Sequence, residues 1–89
     1  MNDELLVLQT RVNGVIYNPF INLKDQAKEL KKLLSDSDKF SGEILKLDAA
    51  IIELDAFENM SYGNIERIKG FNKTKSHILK VIKDVLNAQ

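Results

Sequence analysis

The sequence predicts a mainly α single domain of three to four helices, closing in a helix-turn-helix and opening with either a β-hairpin arm or a first helix. Three observations carry that expectation. Apolar residues recur every three or four positions from Leu23 onward, the spacing of an amphipathic helix. The 89 residues are enough for one modest core and no more. Gly70 interrupts the last helical pattern, with Phe71 and Asn72 directly after it. The expected division is residues 1–21 as arm or first helix, 22–58 as two long helices, and 61–87 as the helix-turn-helix.

The first segment supports two readings. Leu5, Leu8, Val12, Val15 and Ile16 fit a helical stripe. Against this, Asn13-Gly14 is a strong hairpin signal, because both residues tolerate the positive φ of a type I′ turn. The flanking LLVLQTR and VIYNPFI are rich in β-branched and aromatic residues, and Pro19 would confine a second strand to an edge. A helix through Gly14 would cost roughly 1 kcal/mol relative to alanine. The hairpin is slightly favoured.

From Asn22 the pattern is plainer. Asn22 can cap a helix through LKDQAKELKKLL, with Leu23, Ala27, Leu30 and Leu34 on one face. The polar run Ser35 to Asp38 ends it. A second helix is predicted from about Asp38 to Phe57, with Phe40, Ile44, Leu47, Ile51 and Leu54 as its seam, widened by Ala49 and Ile52. That seam is first of all core, and secondarily the surface through which a homodimer would form. Ser61 can cap a short helix holding Ile65 and Ile68. Gly70 would end it, and Asn72 would cap a final helix whose apolar set is Phe71, Ile78, Leu79, Ile82, Val85 and Leu86.

A short helix, a glycine corner, an apolar plug and a capped second helix make up a helix-turn-helix. The stretch Ile51–Phe71 resembles the DNA-binding fourth region of bacterial sigma factors: Met60-Ser61-Tyr62 matches the turn, Ile65 and Ile68 the buried positions, and Gly70-Phe71 the corner. The order of an N-terminal arm, two long helices and a C-terminal helix-turn-helix is also similar to Fis-type nucleoid proteins, which are dimers through their central helices. Three residues depart from the pattern, namely Glu66, Lys69 and Ser76, at places where that family carries small or apolar side chains. The resemblance implies double-stranded DNA as the partner. Lys73, Thr74 and His77 would then face base edges, and Arg67, Lys69, Lys75, Lys80 and Lys83 would contact phosphates. Five neutralised phosphates imply a log–log salt slope of about −4.5.

Composition narrows the functional class. Hydrophobic residues at 44% and charged residues at 29% describe an ordinary globular chain, not a disordered one. The net charge is zero but unevenly spread: residues 41–64 sum to −4 and residues 65–89 to +4. The asymmetry suits either a nucleic-acid-binding helix or a basic helix paired with an acidic one inside one bundle. No cysteine is present, and His77 is the single histidine, so no metal site is expected. No nucleophile–base pair or phosphate-cradling glycine loop occurs, so neither catalysis nor a cofactor is expected. The acidic start MNDELLVL has no signal-peptide character, and a cytoplasmic protein of bacterial or phage origin is expected.

Two functional readings follow. The first is a DNA-binding transcriptional regulator or nucleoid-type protein. The second is a helical bundle that binds a single protein partner, in the manner of an immunity protein, an antitoxin or a phage inhibitor of a host protein. Tyr17-Asn18-Pro19 is loosely similar to a loop of the small bacteriocin immunity bundles.

Overall fold

The computed structural model describes residues 2–15, 20–59 and 64–88. They form four helices: α1 (Asn2–Gly14), α2 (Phe20–Leu34), α3 (Ser41–Asn59) and α4 (Asn64–Asn87), with a 3-10 turn at Asp38–Phe40 leading into α3. Among the described residues there is no strand.

The helices pack as a four-membered ring in chain order, α1 beside α2 and α4, α3 beside α2 and α4, with α2 touching α4 across the diagonal. Neighbours run in opposite directions. Lys24 near the start of α2 bridges Asp55 near the end of α3, while Lys31, further along α2, bridges Asp48, earlier in α3. Short connections favour this up-and-down order. The 24 residues of α4 give a rod of about 36 Å at 1.5 Å per residue, close to the 40 Å long axis of the molecule.

Each helix contributes one apolar stripe to the core. Leu5, Leu8 and Val12 come from α1, and Leu23, Ala27, Leu30 and Leu34 from α2. Leu47, Ala50 and Leu54 come from α3, and Phe71, Ile78, Val81, Ile82 and Val85 from α4, with Phe40 closing one end. Burial of a Leu, Ile or Phe side chain stabilises by about 1.5–3 kcal/mol, so this set is the main source of stability. Entry into α3 is fixed locally: the Ser37 side chain accepts the backbone N–H of Lys39 at 3.2 Å.

Several expectations from sequence are corrected. The hairpin at Asn13-Gly14 is replaced by the end of α1, since the helix runs through Gly14. Asn-Gly also terminates helices, and burying Leu5, Leu8 and Val12 on one face needs a helical repeat. The break at Gly70 is absent: α4 continues through it to Asn87. Asn22 and Asn72 therefore lie inside helices and are not their caps. The Phe40–Leu54 seam, considered as a dimer surface, turns inward, with Phe40, Leu47 and Leu54 buried in the monomer. Met60-Ser61-Tyr62, the cap at Ser61 and Tyr17-Asn18-Pro19 lie outside the described residues.

No helix among the described residues is long and apolar enough to cross a membrane.

Candidate protein-docking face

The residues expected to contact DNA all fall on α4, five of them on one exposed side and three turned wholly or partly inward. Thr74 is fully buried, and its Oγ1 donates to the Gly70 carbonyl at 2.8 Å, with Glu53 Oε2 more distant at 3.4 Å. A threonine closing on the carbonyl four residues earlier is satisfied within its own helix and has no reach outward. Lys75 is half-buried and serves a structural end: its Nζ donates to the carbonyls of Asn13 and Val15 at 2.9 and 2.8 Å. A cation there satisfies carbonyls left unpaired at the C-terminus of α1 and meets the negative end of its dipole. Arg67 is half-buried. Lys69, Lys73, His77, Lys80 and Lys83 are exposed along the outer side of α4. Ile65 and Ile68, expected to be buried in the motif, are exposed as well.

Among the described residues, the lysines of the basic α4 are not paired with the acidic α3. The acids of α3 pair with lysines of α2: Lys24 Nζ reaches Asp55 at 2.7 Å and Glu58 at 3.0 Å, and Lys31 Nζ reaches Asp48 at 2.6 Å. These bonds, to Asp55 first and Glu58 second, raise the Lys24 pKa above its ordinary 10.5 against the opposing effect of burial. The lysines on the outer side of α4 make no ion pair among the described residues.

The feature that sequence reasoning missed lies on α3. This helix is apolar on two sides. Leu47, Ala50 and Leu54 face the core, and on the opposite side Leu45, Ala49, Ile52 and Ala56 form a second row spaced four, three and four. In a helix that spacing places side chains one above another on a single face. Leu45 is 69% exposed and Ile52 68%, while Ala49 is exposed and Ala56 half-buried. Single exposed apolar residues need no explanation, but a contiguous row opposite a helix's core face does. Ala49 and Ile52, read from sequence as widening the core stripe, belong instead to this outer row.

Beside the row, a shallow groove runs between α3 and α4. Its floor includes Ala49, Ala50 and Val81, and its rims carry Lys46, Glu53, His77, Lys80 and Asp84. At about 300 Å³ and open to solvent, it does not enclose a small-molecule substrate, but it offers an apolar floor between charged rims to a docked side chain. No group of His, Asp or Glu residues among the described ones is arranged to hold a metal ion. The sequence signal for this face was present in the four-three-four spacing from Leu45 to Ala56; it was hidden by the adjacent core seam, which shares the same helix and period.

No protein-family model, no curated protein and no solved structure matches this chain.

Proposed function

We propose that this chain is a non-catalytic, protein-binding helical bundle, and that it binds a partner helix on the outer side of α3 and its groove with α4. One observation carries the reading: Leu45 and Ile52 stand in water on a heptad-spaced row with Ala49 and Ala56, directly opposite the core side of the same helix. Each large side chain buried by a partner would contribute about 1.5–3 kcal/mol, a driving force that a solvated face leaves unused. Small residues between large ones let a second helix approach closely, and charged rims supply register and selectivity.

The DNA-binding alternative loses its geometric premise. A recognition helix enters the major groove when its first turns project beyond a corner. Here α4 is continuous through the expected corner, Thr74 faces inward and Lys75 holds the end of α1.

Site-specific photo-crosslinking tests the proposal. A photoreactive amino acid at position 45 or 52 is expected to give a protein adduct in concentrated purified protein or in source-cell extract, whereas the same group at position 28, on the outer side of α2, gives none. Equal yields at all three positions, or steeply salt-dependent duplex binding abolished by Lys73→Ala and Lys80→Ala, would overturn it.

A further inference from the structure

The docking face has internal symmetry that identifies its occupant. We infer that the outer row of α3 receives a second copy of the same helix, running antiparallel, to form a two-fold symmetric dimer. The inference rests on the docking-face reading and adds the partner to it.

Two helices that meet antiparallel along this row place Ala49 opposite Ile52 of the second copy, and Leu45 opposite Ala56. Every layer then sets a large side chain against a small one, and two-fold symmetry repeats each layer. A parallel pairing would instead stack Leu45 on Leu45 and Ile52 on Ile52, with Ala49 facing Ala49, so the layers alternate between crowded and empty.

The flanking charges select the same orientation. On the side toward α4, Lys46 and Glu53 border the row, and the antiparallel register brings Lys46 of one copy to Glu53 of the other, twice per dimer. On the side toward α2, Asp48 meets Asp55 of the second copy. Those two acids are already neutralised within each chain, by Lys31 at 2.6 Å and Lys24 at 2.7 Å. The parallel arrangement would bring Asp48 toward Glu53 of the other chain with no such compensation for Glu53. Charge complementarity across an interface fixes register and excludes the wrong orientation. The row from position 45 to 56 is about 17 Å long, which places the contact among small, reversible interfaces.

Sedimentation velocity from about 10 µM to 1 mM tests this with the full chain, a range chosen for a small interface. The wild type is expected to dimerise within it. Lys46→Glu and Glu53→Lys should each weaken the dimer about tenfold, and the double reversal should restore it to within about threefold, since two symmetric pairs change sign together. Ala49→Leu, at an exposed position of the monomer, should crowd Ile52 of the second copy and weaken the dimer, with an unchanged helical circular dichroism spectrum. A chain that stays monomeric, a dimer indifferent to the single reversals, or a double reversal that fails to restore it overturns the inference. A monomeric chain crosslinked at position 52 to a different protein overturns the self-association alone and leaves the docking face standing. Absence of both adduct and dimer overturns both.

Discussion

The ring of Phe57 lies against the backbone of Gly70, in the space that a side chain at position 70 would occupy. A methyl group added there would stand 2.5 Å from both Cε atoms of the ring. The glycine is therefore a point of close approach between α3 and α4, buried in the second turn of a continuous helix, and not the corner its position suggested.

Gly70→Ala is accordingly expected to destabilise the bundle by about 1–2 kcal/mol. Overpacking of this kind costs typically 1–3 kcal/mol, while the helix-propensity gain from glycine to alanine returns less than about 1 kcal/mol. Phe57→Leu should relieve much of the cost. Chemical denaturation of the two single variants and the double would measure a coupling of about 1 kcal/mol. Strict additivity would show that the ring does not contact position 70.

Gly42 gives the opposite result by the same criterion. Nothing lies within 4 Å of where its Cβ would be, and it sits in the first turn of α3. Gly42→Ala should raise stability by about 0.5–1 kcal/mol through helix propensity and the reduced freedom of the unfolded chain. A loss of stability would show that position 42 is crowded.

Lys75→Met keeps the aliphatic stem but removes both bonds to Asn13 and Val15. About 1 kcal/mol of stability should be lost, discounted for partial exposure. Amide exchange should accelerate in the last turn of α1 more than in α2. Unchanged exchange there would mean that Lys75 does not hold this helix end.

Lys24 sets a pH dependence. Its pKa is raised in the folded state by the bonds to Asp55 and Glu58. A raised folded value means that the stabilisation is fully present below the ordinary 10.5 and is lost as pH climbs through the higher folded value. The stability difference between wild type and Lys24→Met should therefore be flat from neutral pH to about 10 and shrink above 10.5. A difference that changes between neutral pH and about 9 would assign the effect to other groups.

Much of the fold was legible because burial imposes its period on sequence. Leu23, Ala27, Leu30 and Leu34, the Phe40–Leu54 seam, and Ile78, Ile82 and Val85 all read correctly as core from spacing alone. What failed was the meaning of glycine. Asn13-Gly14 and Gly70 both carry local signals for a turn, yet one ends a helix and the other admits an aromatic ring from the preceding helix. Nothing near Gly70 in the chain announces Phe57. The outer row of α3 was legible as spacing but not as exposure: two apolar rows on one helix are indistinguishable until α2 and α4 cover one of them. Thr74 and Lys75, read as part of a DNA-contacting set, were drawn inward by the core and by the open carbonyls of α1.

On the proposed reading, the outer side of α3 is covered when the protein works. The chain contains no cysteine, so a single Ala49→Cys variant reports on that face alone, with Lys28→Cys as the outer-α2 reference. Thiol-labelling rates, compared between dilute purified protein and either concentrated protein or source-cell extract, test the claim directly. Fast labelling is expected at both positions when dilute, and at least about tenfold slowing at position 49 alone once the face is occupied, corresponding to occupancy of about nine-tenths. Equal, unslowed labelling at positions 49 and 28 under every condition would contradict it.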